Sequence, residues 1–182
     1  MSAPARSPSI RIGCAGWSIP SRHAELFGEG ESHLARYATR FDVVEINSTF
    51  YRPHQQRTFE RWAASVPPRF RFSATMPKAI THESRLQGAG DALTAFFDAV
   101  AGLGAKLGGV LVQLPPSLAF DARVADRFFA TVVDGLGDAG LLKENGDKHW
   151  RRVVIEKPFG QDLKSPRELN KRILKQMDES QI

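Results

Sequence analysis

The stretch FDVVEINSTFY, residues 41–51, decides the fold class of this chain. Its apolar run is followed at once by polar and turn-forming residues, so it predicts a strand buried on both faces. Outward from it, three further runs predict strands: SIRIGCAGWS (9–18), RFRFSATMP (69–77) and GGVLVQLPP (108–116). We therefore expect four strands in the first 120 or so residues, near one per 30 residues.

Helical patterns separate these strands. One surrounds residues 32–39, a second begins at Thr58, and Asp91 and Asp121 each cap a further helix. Gly104 stands where a helix end needs a left-handed residue. The alternation predicts an α/β fold of parallel βα units. Because eight such units fill about 250 residues in a TIM barrel, residues 10–133 are interpreted as a partial TIM-barrel-like domain with the first four units. A doubly wound open sheet is the alternative, since periodicity does not separate the two.

The composition is that of a globular protein: 182 residues, 42% hydrophobic and 25% charged. No run reaches the roughly 18 apolar residues of a membrane helix. Residues 1–9 are predicted to be a disordered leader. Cys14 is the single cysteine and cannot form an internal disulfide, so a cytoplasmic location is expected. The net charge of +5 resides mostly in the C-terminal region, but it is spread through a helical pattern, so nucleic-acid binding is not expected.

The character of the sequence changes after Gly135. Residues 134–150 are polar and glycine-rich and are interpreted as a linker. RRVVIEK, residues 151–157, predicts another strand, and the Ser165-Pro166-Arg167-Glu168 sequence is typical of a helix start. The tail, residues 151–182, is therefore predicted to be a strand–helix fragment. Open sheet edges predict self-association, that is, contacts between copies of the chain.

Polar side chains gather where the predicted strands end. Glu45 and Asn47 have period-two spacing and point to one side of their strand. A buried carboxylate needs a partner, and Lys78 or His82 from the next strand can supply one, which would give an acid–base site of Glu45, Lys78 and His82. The alternative is a buried network that only ties strands together. Further candidates for substrate binding are Trp17, Asn47, Thr49, Tyr51 and Gln113. No histidine spacing predicts a metal site.

Four motifs in order carry a family resemblance: GCAGWS, FDVVEINSTFYR, FRFSATMPKAITHE and LGGVLVQLPPSLAFD. Residues 10–129 thereby resemble the YecE-like family, domain of unknown function 72. The resemblance implies a TIM-barrel-like fold with these motifs at the first four strands. It implies no reaction, because the family has no established activity.

The later motifs TVVDGLGDAGLL, RRVVIEKPFGQDL and SPRELNKRILKQMDESQI resemble glucose-6-phosphate dehydrogenase over residues 131–182. That resemblance implies a fragment of a dinucleotide-binding domain, in which Lys157 reaches toward substrate and coenzyme and Pro158 lies beside the coenzyme. The nucleotide-binding loop of that family is absent from this sequence.

The expectation is thus a truncated YecE-like protein fused to a dehydrogenase fragment and lacking dehydrogenase activity. No cofactor is expected, and NADP only if the dehydrogenase-like segment functions. The alternatives are an NADP-dependent relative of glucose-6-phosphate dehydrogenase, an enzyme of the pentose phosphate pathway, and an acid–base enzyme using Glu45, Lys78 and His82.

Overall fold

The computed structural model describes residues 11–142, which form an α/β unit around an open sheet of three parallel strands. The strands are β1 (Val43–Ile46), β2 (Arg71–Thr75) and β3 (Leu107–Leu111), in the order β1-β2-β3. The register pairs Glu45 with Ser73 and Ser73 with Gly109. The predicted parallel βα arrangement is confirmed for these strands.

Of the predicted first strand, the described residues 11–18 form a single bridge to β1. Ala15 pairs with Glu45 in a parallel bridge, in which the Glu45 amide donates to the Cys14 carbonyl and the Gly16 amide donates to the Glu45 carbonyl. The Tyr37 hydroxyl holds this segment further, because it accepts from the Cys14 amide at 2.8 Å and donates to the Val43 carbonyl at 3.1 Å. Burial raises the pKa of Tyr37 to about 12, so this hydroxyl remains a donor at neutral pH.

Within residues 11–142, five α-helices flank the strands. They are α1 (His33–Tyr37), α2 (Ser48–Tyr51), α3 (Gln56–Ala64), α4 (Gly90–Val100) and α5 (Ala122–Asp138). Shorter turns of 3-10 helix span Ser21–Leu26 and Ala101–Lys106, and a π-helical turn spans Ala79–Glu83. No helix in the described range is long and apolar enough to cross a membrane.

The helix boundaries confirm some local predictions and correct others. The Asp121 side chain accepts from the amides of Arg123 and Val124, as an N-cap should. Asp91 does not cap α4; it lies in the first turn, and the capping position belongs to Ala89. Helix α3 begins at Gln56, ahead of the predicted Thr58. Gly104 has the expected positive φ of 53°, but it lies in the 3-10 turn after α4.

The sheet buries one face against the helices. Val44, Ile46, Phe72 and Ala74 are almost fully buried there and pack in one cluster with residues of α1, α3, α4 and α5. The alternate residues Val43, Glu45, Arg71 and Ser73 are only half-buried, because they point to the opposite face. Within residues 11–142, β3 has one strand neighbour, β2. Self-association through such edges stays a prediction.

Helix α5 joins the two parts of the sequence without a break. The predicted domain end at residue 133 falls inside α5, which continues to Asp138. Phe128 and Val132 are buried in the core, and so are Leu141 and Leu142 beyond the helix end. The strand and helix predicted for residues 151–182 lie outside the described residues.

Gly135 of α5 lies directly against the ring of Phe97 on α4. A Cβ built on Gly135 would be 2.8 Å from Phe97 Cδ2, closer than real Cβ contacts, and Phe97 is 1% exposed. Because the ring is enclosed, it has little room to give way. The absence of a side chain at residue 135 therefore sets how closely α5 approaches α4.

Replacing Gly135 with Ala should lower the free energy of unfolding by about 1–2 kcal/mol. At an open helix position the same substitution raises the free energy of unfolding by about 1 kcal/mol. The sign of the change therefore shows whether residue 135 contacts Phe97. The measurement is urea unfolding followed by circular dichroism. Gly90→Ala in α4 is the matched control, because its Cβ would meet nothing within 4 Å. An equal stabilisation by both substitutions would show that α5 does not pack on α4 in this way.

Candidate functional site

The candidate site lies at the carboxyl ends of β1 and β2, where ligands bind in parallel α/β folds. Its centre is Thr75, the last residue of β2, which is 1% exposed. The Thr75 hydroxyl donates to Glu45 Oε1 at 2.5 Å across the two strands. Its backbone carbonyl lies 2.6 Å from the hydroxyl of Thr49, which lies equally close to the Ile46 carbonyl. Thr75 therefore ties β1, β2 and the start of α2 together.

Glu45 is half-buried on the sheet face that the helices do not cover. Among the described residues its carboxylate has the one hydrogen-bond partner, Thr75, through Oε1. The second carboxylate oxygen, Oε2, is therefore free to accept a hydrogen bond from a ligand. This geometry suits binding of a hydroxyl or amine group and transfer of a proton.

In the structure, Lys78 and His82 bond to residues other than Glu45. Lys78 forms an ion pair with Glu83 at 3.2 Å, and both side chains are largely exposed. His82 Nδ1 lies 2.9 Å from the Thr81 hydroxyl, and its ring contacts Phe50 edge to face. The partner of Glu45 that the sequence suggested, Lys78 or His82, is thus replaced by Thr75. The catalytic assignment of these three residues stays a prediction.

The residues predicted to bind substrate divide into two groups. Thr49 is 2% exposed and its hydroxyl faces backbone carbonyls, while Trp17 packs edge to face on Trp62 with ring centroids 5.0 Å apart. These two have clear structural contacts. Asn47, Tyr51 and Gln113 are exposed, Tyr51 at 71%, and are accessible to a ligand. Lys157 and Pro158, predicted to contact NADP, lie outside the described residues.

A cleft of about 470 Å³ borders the same end of the sheet. The loop after β1, the π-helical turn after β2 and one face of α4 form its walls. Thr49, Tyr51 and Lys78 line it, together with apolar residues such as Phe96. Within residues 11–142, no group of three or more His, Cys, Asp or Glu side chains is placed to hold a metal ion.

Sequence reasoning missed two features of this region. The first is Thr75, which lies in the predicted strand 69–77 and which period-two spacing from Ser73 places on the Glu45 side. The second is His54, whose Nε2 lies 2.9 Å from the Ser48 hydroxyl. No periodic signal links two residues at this spacing across a helix end, so only the folded loop shows the pair.

Burial lowers the pKa of His54 below its usual value of 6.5, and the positive charge of Arg52 lowers it further. The ring lies against Phe59 and Trp62, which cannot solvate an imidazolium. His54 is therefore neutral at pH 7.

The NMR titration of His54 should give a pKa below 6.5. The unfolded chain binds a proton at this residue more readily than the folded chain does, so His54 makes the free energy of unfolding rise with pH. This contribution to stability is lost as the pH drops below the pKa of His54 in the unfolded chain. Arg52→Gln is the matched variant and should move the pKa of His54 upward, because it removes the weaker of the two causes. A pKa of His54 at or above 6.5 would contradict the burial.

The fold and the site define an α/β protein with a parallel sheet. Residues 11–137 match the family model described as "Protein of unknown function DUF72". The chain belongs to the DUF72 family. Residues 112–182 also match the model "Glucose-6-phosphate dehydrogenase, NAD binding domain", so the two matches overlap over residues 112–137, from the end of β3 through nearly all of α5. The resemblance to both families is confirmed.

Individual relatives show the same division. The UPF0759 protein YecE of Escherichia coli K12 is 31% identical over 106 residues, 58% of this chain and 38% of that protein. Glucose-6-phosphate 1-dehydrogenase 2 of Mycobacterium tuberculosis is 49% identical over 55 residues, 30% of this chain and 10% of that enzyme. The corresponding Bacillus subtilis enzyme is 41% identical over 70 residues, 38% of this chain and 14% of that enzyme. The chain thus spans less than two thirds of the length of these relatives.

The fold is shared with a solved member of the family. A crystal structure of a DUF72 family protein from Enterococcus faecalis V583 superposes with a TM-score of 0.58 at 24% identity. The match covers 71% of this chain and 48% of that one. At this identity the similarity concerns the fold alone.

Proposed function

We propose that this chain is half of a TIM-barrel-like protein whose ligand site lies at the carboxyl ends of β1 and β2, with Glu45 as its acid–base group. The observation that carries the proposal is the Thr75–Glu45 hydrogen bond, which leaves one carboxylate oxygen open on the uncovered sheet face. A barrel is favoured over a doubly wound sheet because, within residues 11–142, helices cover only the face of Val44 and Ile46. In a barrel, the Glu45 face is the interior.

The ligand is a small molecule that carries hydroxyl groups, such as a sugar or a sugar phosphate. A carboxylate accepts hydrogen bonds from hydroxyls, and exposed amides such as Asn47 and Gln113 both donate and accept. Lys78 follows β2 and lines the cleft, where its ammonium group binds the phosphate or anionic end of such a ligand, and His82 follows in the same turn. Glu45 then exchanges a proton with a ligand hydroxyl or with the carbon beside a carbonyl.

Replacing Glu45 with Gln should weaken binding of such a ligand about tenfold or more, because a hydrogen bond to a charged group contributes about 1.5–3 kcal/mol. The measurement is NMR of backbone amides during titration with aldoses and their phosphates, with the shifts of residues 45–49 and 73–76 as the readout.

Glu60→Gln is the matched control, since Glu60 is an exposed carboxylate of α3 away from the strand ends. Equal binding by the Glu45 and Glu60 variants would remove Glu45 from the site. If no member of the panel shifts these amides, the proposed ligand class is wrong.

A second candidate function comes from the match of residues 112–182 to an NAD-binding domain. We propose that the chain does not oxidise glucose 6-phosphate by itself. Hydride transfer requires coenzyme, sugar and base to be held together, and the chain matches only 10–14% of the length of the enzymes compared above.

Millimolar NADP and glucose 6-phosphate should therefore yield no NADPH above the rate without protein, measured by absorbance. An intact glucose-6-phosphate dehydrogenase is the positive control. Sugar-dependent NADPH formation that Lys157→Ala abolishes would overturn this expectation and establish the dehydrogenase alternative.

A further inference from the structure

Ser48 and His54 form a hydrogen-bonded pair that the Glu45 site does not use. Ser48 is the first residue of α2 and follows β1 through Asn47. Its Oγ lies 2.9 Å from Nε2 of His54, and both residues are half-buried. A hydroxyl within hydrogen-bond reach of an imidazole nitrogen is the arrangement that activates a serine nucleophile.

Aromatic contacts fix the orientation of the His54 ring. The ring meets Trp62 edge to face with centroids 5.1 Å apart, and it meets Phe59 at 5.9 Å. These contacts, rather than a carboxylate, direct Nε2 toward Ser48, since no acidic side chain within residues 11–142 bonds to the ring. A neutral imidazole in this orientation can accept the serine proton.

His54 lines the 470 Å³ cleft described above, and so does Thr49, the residue next to Ser48. The remaining wall is largely apolar, with Phe50, Ile80 and Phe96 and with the small residues Ala92, Ala95 and Ala99 along one face of α4. A short apolar group therefore fits the space between His54 and this face of α4.

We propose that Ser48 and His54 form a nucleophile–base dyad that hydrolyses esters with a short apolar acyl group. The Ser48 oxygen bonds to the ester carbonyl carbon while its proton passes to His54 Nε2. The bond from that carbon to the alkoxy oxygen then breaks, and the leaving alcohol takes the proton from His54. Water attacks the acyl-serine with His54 again as base, which releases the carboxylic acid and restores Ser48. Neither Glu45 nor the residues beyond 142 take part, so this activity is independent of the ligand site proposed above.

The test uses the full chain, an alkyl fluorophosphonate and p-nitrophenyl butyrate. The fluorophosphonate should attach to Ser48 with loss of fluoride, as located by peptide mass spectrometry, and the ester should be hydrolysed with release of p-nitrophenol. Ser48→Ala should abolish the label at residue 48 and reduce hydrolysis to the rate without protein. His54→Gln should reduce both rates about 100-fold or more, the usual contribution of a general base.

Two control variants separate the dyad from other reactive groups. Cys14→Ser removes the exposed thiol, which also reacts with activated esters, and Ser84→Ala removes an exposed hydroxyl. Both should keep the Ser48 label and the hydrolysis. Circular dichroism and thermal unfolding establish that each variant is folded. A further variant, Ser48→Thr, keeps a hydroxyl at residue 48 and adds a methyl group. Absence of label on Ser48 in the folded wild-type chain, or unchanged hydrolysis in Ser48→Ala, overturns the proposal.

Discussion

The parallel hydrogen-bond ladder of β1, β2 and β3 is the constraint on which the rest of the described structure depends. Parallel strands normally have both faces covered, because their connecting helices must pack somewhere. Here the helices cover the face of Val44, Ile46, Phe72 and Ala74, and the alternate residues face the other way. The same alternation that builds the core therefore keeps Glu45 half-buried. The hydrogen bond from Thr75 satisfies one oxygen of this carboxylate and leaves the other open on the uncovered face.

Helix α5 explains how sequence from two families can share one folded unit. Residues 122–137 of this helix match both family models, so the two matches overlap inside one packed helix. Packing on α4 demands little of this helix: an apolar stripe that includes Phe128 and Val132, and a residue without a side chain where Phe97 lies. Amphipathic helices of unrelated proteins commonly have such an apolar stripe, and Gly135 is the residue without a side chain. The overlap of the two family matches therefore does not interrupt the hydrophobic core.

The sequence predicts those features that local chemistry controls. The parallel βα units and the Asp121 cap are confirmed, because each follows from apolar periodicity or from a side chain bonding to nearby amides. Predictions that depended on distant partners were less accurate. The first strand shrinks to the Ala15–Glu45 bridge, and Glu45 pairs with Thr75 rather than with Lys78. Period-two spacing fixes the face of a strand residue, but the turn after β2 decides where Lys78 points, and that turn is π-helical.

The candidate residues lie in a short part of a chain that itself spans only part of the length of its relatives. Glu45 and Thr75 belong to adjacent strands, and Ser48 and His54 belong to the loop that follows the first of them. All four lie between residues 45 and 75, so the groups proposed for both activities belong to one short segment that the structure describes. The dehydrogenase match, by contrast, covers 10–14% of the enzymes compared, and hydride transfer requires coenzyme, sugar and base to be held together. An activity of this protein is therefore to be sought first at β1 and β2.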